Sequence, residues 1–291
     1  MINDKLVYPD LYIGADRGAA RAQVNYIRLV RLEYSLLFLV SVLSAARSYI
    51  EGSEEILTIA LVLLGGLFVL KVFKRIEENW YRCRALAESV KTSTWRFAMR
   101  SHPFEHSDDI EVPKAKFRNF LRQILKSNQS IAEHLDSDVS DQVTESMIAT
   151  RELSIEERRN FYLRNRVDEQ RVWYTKKSAQ NRRALHRWVY VTILIYLCAV
   201  LSVYAESFGF TEVRSAFDPL IVLAAAGIGW IQMRRYGELT ASYNLTAQEI
   251  GLIKGQADSI ESEGDFSDFV NEAELAFSRE HTQWVARRDA T

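Results

Sequence analysis

Cysteine and proline are scarce in this 291-residue chain, with two of the first and four of the second. Two cysteines without partner histidines build no zinc site. The prolines fall at boundaries: Pro9 in the N-terminal lead, Pro103 and Pro113 bracketing "PFEHSDDIEVP", and Pro219 after Asp218. Asp218-Pro219 predicts an N-cap followed by proline at the first helical position. None interrupts the long stretches in between, which are free to be helical. The catalytic signatures G-x-S-x-G, G-x-x-x-x-G-K-[ST] and H-E-x-x-H are also missing, and "SREHTQW" lacks the second histidine. His102 and His106 have i,i+4 spacing, but Pro103 breaks the helix that would align them on a metal. Glu88 reads as a salt-bridge partner and His281 as a packing residue on the apolar face of the last helix. No catalytic residue, metal ligand or cofactor is expected.

Net charge is only −1, with 26% charged and 48% hydrophobic residues. Those averages describe a soluble protein and mislead, because the apolar residues come in blocks. Tyr34–Ala46, Ile56–Leu70, Trp188–Ala205 and Phe217–Met233 are four such blocks. A spanning helix needs roughly 17–25 mostly apolar residues. The third block meets this without a charge; the others complete the span with flanking residues such as Arg47 and Lys71 snorkelling outward. Arginine and lysine cluster before the first and third spans and after the second and fourth. The two short loops carry Glu51, Glu54, Glu55, Glu206 and Glu212 instead. This bias predicts a multi-pass membrane protein with both termini and the central segment cytoplasmic. On that topology Cys83 and Cys198 cannot pair within one chain. The first twenty residues lack an apolar h-region, so the first span is expected to insert as its own signal.

Helical periodicity continues beyond the membrane. Phe73, Ile76, Trp80, Cys83, Ala87, Val90, Thr94 and Phe97 form a heptad-like seam predicted to run unbroken from the second span. Ser154 and Glu157 form a capping box. From there Leu163, Val167, Gln170, Tyr174, Ser178, Asn181, Leu185 and Trp188 predict one helix over about residues 155–205. Tyr236, Leu239, Tyr243, Ala247 and Ile250 follow the fourth span, and Phe266, Val270, Ala273, Phe277, His281 and Trp284 mark a last helix. Lys114–Ser127 reads as an amphipathic helix, and "DSDVSDQVTESMIATRE" as an acidic connector with a short helix. The expected fold is all-α: four transmembrane helices as two parallel hairpin repeats continuing into a cytosolic bundle. Residues 1–104 hold the first hairpin with its flanking helices, 105–153 the connector, and 154–291 the second hairpin.

"YLRNRVDEQRVWYTKKSAQNRRALHRW" before one span pair, with "YGELTASYNLTAQEI" and "FVNEAELAFSREHTQWVARR" after it, resembles the SLATT family of SMODS- and SLOG-associating two-transmembrane effectors. "NWYRCRALAESVKTSTWRFAMRSHPF" resembles the matching part of a second SLATT type. The likeness covers most of the chain outside residues 105–150 and implies a tandem, four-span member. It further implies an antiphage membrane effector, encoded with a nucleotidyltransferase and forming pores. Hailong-type effectors, whose channels answer to a partner's nucleotide product, belong to the same circle.

The basic and aromatic segments on the cytosolic side then admit two readings. Arginine and lysine bind phosphates and aromatic faces stack bases, so Arg82, Arg84, Lys91, Trp95, Arg96, Arg171, Trp173, Tyr174, Lys177 and Arg182 are candidates for a regulatory nucleotide or oligonucleotide. Alternatively the cations set topology and the aromatics pack helices. Within the spans, Ser41, Ser44, Thr58, Gly65, Gly66, Ala225 and Gly229 are the residues expected to line a pore or pack helices, Ala225 and Gly229 having small-x-x-x-small spacing. Four spans hardly enclose a water path, so a pore predicts a homo-oligomer, most simply a tetramer, in membrane lipid. The rival is a non-conducting scaffold whose cytosolic helices recruit a partner protein.

Overall fold

The computed structural model describes residues 5–47, 49–129, 131, 135 and 142–289, and all regular structure among them is helical. In order come α1 (Asp10–Ala46), α2 (Ser53–Lys74), α3 (Ile76–Ala98), α4 (Glu111–Ser127), α5 (Glu145–Arg151), α6 (Ile155–Tyr162), α7 (Glu169–Glu206), α8 (Phe217–Arg234), α9 (Tyr236–Gly255) and α10 (Glu263–Asp289). A π-helical turn, Leu163–Asp168, joins α6 to α7, and a 3-10 turn, Thr211–Ala216, leads into α8. The four apolar blocks lie in α1, α2, α7 and α8, and four helical stretches are long and apolar enough to cross a membrane. The chain divides into two compact units. A hairpin unit comprises Val24–Ile76 and Ser178–Ala241; a bundle unit comprises Met1–Gln23, Glu77–Lys177 and Ser242–Thr291.

The hairpin unit has small side chains inside and large ones outside. Ala60, Ala199 and Ala224 are buried, whereas Val62, Phe68, Leu194, Val200 and Leu201 are each at least 60% exposed. In water such a surface would aggregate; in lipid it is the natural outer coat. Close helix approach explains two glycines. A Cβ at Gly227 would stand 2.7 Å from the Thr192 hydroxyl, and one at Gly229 would collide with the Tyr34 hydroxyl. These seat α8 against α7 and α1. Gly65 and Gly66 have nothing within 4 Å, and on α2 the buried residues are Ser53 and Ala60. Lys71 and Glu33 pair at 2.8 Å, and Trp188 packs on Trp230, whose ring also carries the Arg31 guanidinium at 5.5 Å.

The bundle unit packs around an apolar core. Cys83, Leu86, Ala87, Val90 and Phe97 of α3 meet Phe117 and Leu121 of α4, Met147 of α5, Phe161 of α6, Ile250 of α9, and Phe266, Val270, Ala273 and Phe277 of α10. The Ser154–Glu157 capping box opens α6 as its sequence predicts. Ser262 and Asp265 cap α10 in the same reciprocal way.

Three expectations change. The seam through Phe73 is not one helix: Arg75 adopts a left-handed conformation (φ 43°) between α2 and α3, and Phe73 is 80% exposed. Arg235 (φ 49°) does the same between α8 and α9, so each hairpin's second helix ends on a left-handed arginine. Asp218 is no N-cap; the 3-10 turn starts the helix earlier, at Phe217, and Pro219 sits inside its first turn, where a missing N–H costs nothing. The helix over 155–205 is continuous only through the π-helical turn. His281, Trp284 and part of the acidic connector (136–141) lie outside the described side chains.

Candidate functional site

The bundle unit encloses a polar network in its core. The π-helical turn winds one residue more per turn than an α-helix, a device often found at functional sites. On it sits Arg166, 1% exposed. Its Nε and Nη2 donate to the two carboxylate oxygens of Glu274 at 2.8 and 2.6 Å, and the Tyr162 hydroxyl donates to the same group at 2.9 Å. Glu274 is fully buried on α10. Burial alone would lower the Arg166 pKa; the adjoining Glu274 reverses that and holds the guanidinium firmly charged. Burial, then the Glu274 charge, raises the Tyr162 phenol.

A second layer adjoins this pair. Trp95 Nε1–H donates to the Tyr8 hydroxyl at 2.9 Å, and the Trp95 ring meets Tyr162 edge-on at 5.6 Å. Lys91, one turn before Trp95, has its ammonium 6.0 Å from the centre of the Tyr8 ring. Burial, and then the Arg166 guanidinium, pushes the Lys91 ammonium down to about 8. Burial lowers Arg96 likewise, against the pull of Glu274. Arg84 lies between Asp16 (3.0 Å) and Glu88 (2.6 Å), which makes Glu88 the ion-pair partner its sequence setting predicts.

At the C-terminal end of α3 two buried arginines satisfy carbonyls that the helix leaves open. Arg151 donates to the Phe97 and Glu105 carbonyls at 2.6 and 2.7 Å. Arg158 donates to the Met99 and Leu153 carbonyls at 2.9 and 3.1 Å and pairs with Glu263. His102 lies between Glu105 and Asp268. Among the described residues no three His, Cys, Asp or Glu side chains converge on a metal position.

The ligand candidates separate by burial. Trp95 (1% exposed) and Tyr174 (3%) are core residues, Tyr174 with Tyr243 at 5.6 Å. Arg82 pairs with Glu78 at 2.6 Å. Trp173 is 37% exposed, edge-on to Tyr174 and Tyr243, with the Lys177 ammonium over its ring at 5.8 Å. Arg171 is exposed, as is Arg182, which belongs to the hairpin unit. Lys91 and Arg96 are half-buried beside the Arg166 network. Of the membrane candidates, Ser41 and Thr58 donate to Phe38 and Glu54 carbonyls of their own helices. Ser44, Gly65, Gly66 and Ala225 are exposed, and Gly229 packs on Tyr34.

Residues 9–159 match the description "SMODS and SLOG-associating 2TM effector domain 3", more than half of the chain, and residues 162–284 match "SMODS and SLOG-associating 2TM effector domain 1". The chain belongs to the SLATT family. It carries two SLATT domains in tandem, each containing one of the apolar hairpins, and is a multi-pass membrane effector protein. No curated protein and no solved structure matches it.

The pattern of the sequence did not single out Arg166, Glu274 or Tyr8 of this SLATT chain. A signal was present: Glu274 follows Ala273 on the apolar stripe of α10 and Arg166 precedes Val167 on that of α7's lead, so each charge borders a buried seam. Lys91 supplies a pH test. Its folded pKa of about 8 lies below the free-lysine value. The unfolded chain therefore binds more protons between about pH 8 and pH 10.4, and this group's contribution to stability rises with pH across that window. In phosphate-free buffer Lys91→Met is expected to raise the thermal midpoint at pH 7 and to lose that advantage near pH 10. Midpoints compared at the two pH values check this; a constant difference would contradict the burial of the charged ammonium.

Proposed function

We propose that this chain assembles as a homo-oligomer, most simply a tetramer, forming an ion-conducting or depolarising pore in the bacterial inner membrane. A nucleotide or oligonucleotide from a partner nucleotidyltransferase controls it during antiphage defence, in the manner of the Hailong-type effectors. The termini and the bundle unit lie on the cytoplasmic side, as the lysine and arginine bias favours. The observation that carries the reading is the bareness of α2: it is apolar, and Ser53 and Ala60 are its buried residues. A spanning helix so little covered by its own chain has room to pack against another copy around a shared path. Control by a nucleotide draws support from Lys91, Arg96, Arg171, Trp173, Lys177 and Arg182, which are not sealed in the apolar core.

One observation favours a non-conducting scaffold that recruits a partner protein. Ser41, Thr58, Thr192 and Ser202 all donate to carbonyls of their own helices, so none is committed to a polar lining. Reconstitution separates the two. Liposomes holding the purified chain are expected to pass ions in one of two states, with or without candidate nucleotides, and mass photometry to give one discrete oligomer. Cysteines introduced at Glu54 and Glu212 should label from the periplasm. A monomer in silent liposomes would leave the scaffold as the better account.

A further inference from the structure

Among the described residues, the core of the bundle unit contains more positive charge than it neutralises. Arg166 acts electrostatically on Lys91, which also feels Glu88, and Glu274 is the carboxylate that acts on Arg166, Arg96 and Lys91 alike. Asp16 and Glu88 are engaged with Arg84. Among the described residues, neither Lys91 nor Arg96 has a carboxylate within ion-pair distance. Glu274, already holding Arg166 by two bonds and Tyr162 by a third, is close to saturated.

The unsatisfied atoms point the same way. Among the described side chains of the bundle unit, the buried polar atoms without a partner are Thr92 Oγ1, Arg96 Nε, Asn165 Nδ2 and Arg166 Nη1. All can donate a hydrogen bond, and all fall on two short stretches, 92–96 of α3 and 165–166 of the π-helical turn. Those stretches are neighbours, since Trp95 lies on Tyr162 and Arg96 feels both Tyr162 and Glu274. The Tyr8 hydroxyl accepts from Trp95, which leaves its own proton to give. Native cores leave few donors unmatched, so a cluster of unmatched donors with surplus positive charge calls for an acceptor-rich anion.

We propose that the bundle unit binds a phosphate-class oxyanion, held by Arg166 Nη1, Arg96 and Lys91. Guanidinium forks suit a tetrahedral oxyanion, which offers an acceptor to each donor at once; a halide offers no such set. The π-helical turn serves such a site through Arg166, which holds Glu274 with two nitrogens and keeps a third for the anion. The same chemistry has two sources, inorganic phosphate and the phosphate of a nucleotide. The proposal does not depend on a pore.

The test uses the purified full chain in detergent, exchanged into phosphate-free chloride buffer. Inorganic phosphate, adenosine monophosphate and neutral adenosine are added separately, with calorimetry for affinity and thermal unfolding for stability. Phosphate or the monophosphate is expected to bind and to raise the unfolding midpoint, and adenosine to do neither. Binding of both marks a free phosphate site; binding of the monophosphate alone marks a nucleotide phosphate. Lys91→Gln and Arg96→Gln should each weaken binding by about tenfold or more, Lys91→Arg should restore part of it, and Arg122→Gln, at an exposed position on α4, should leave it unchanged. No binding by either phosphate, or binding equal in native and variant chains of unchanged oligomer size, overturns the proposal. Phosphate binding by a chain that never conducts ions sustains it while defeating the pore.

Discussion

Glu274→Gln is expected to destabilise the bundle unit by about 3–5 kcal/mol, the cost of stranding a buried charge. The amide can accept one bond from Arg166 but no longer balances it, Lys91 adds its repulsion, and Arg96 loses the carboxylate that acts on it. The loss should appear as a lower thermal midpoint and faster proteolysis within 77–177 and 242–289, without change in the oligomeric state of surviving protein. Arg166→Met combined with Glu274→Leu should recover most of the stability, because an apolar pair of similar volume replaces both charges. A double variant as unstable as Glu274→Gln alone would mean that the network is required for more than charge balance.

Trp95→Ala and Trp173→Ala should part company. Trp95 is 1% exposed, packs on Phe161 and Tyr162 and donates to Tyr8, so its loss opens a core cavity costing about 3–5 kcal/mol. Trp173 is 37% exposed and meets Tyr174 and Tyr243 by its edge, contacts worth about 0.5–1.5 kcal/mol each. Denaturant unfolding of both variants measures the difference. If a nucleotide base stacks on Trp173, the folded Trp173→Ala chain should also lose about 1–3 kcal/mol of affinity. Equal destabilisation by the two substitutions would refute the division between core and surface aromatics.

Much of the helical layout was legible in the residues. The block Phe217–Met233 became α8, Phe217–Arg234; the block ending at Ala46 ended α1; the Ser154–Glu157 box opened α6. Composition sufficed there, because a run of apolar residues with charged flanks has few physical solutions. The joints at Arg75 and Arg235 were not legible. A single left-handed residue shifts no hydrophobic position in the sequence, so the three-and-four spacing reads straight through it. The Arg166–Glu274 pair was hidden for another reason. Its members stand 108 positions apart, and a charged residue viewed alone suggests a solvated face. Aromatic character marked both Trp95 and Trp173; only the packing of Phe161, Tyr162 and Tyr8 around the first distinguished them.

The threading of the chain bears on how it is made. The bundle unit is assembled from three stretches, and its core joins Ala15 and Ala19 near the start to Phe266 and Phe277 near the far end. A nascent chain leaving the ribosome delivers Ala15 first and Phe277 only after both apolar hairpins have passed. Closing that core therefore waits on insertion of all four spans, and α3 to α6 must spend that interval with their apolar faces uncovered. Completion of the bundle is thus the last folding step of the molecule: a copy truncated before Phe266 cannot close the core, and stays open to proteolysis through the surface it leaves uncovered.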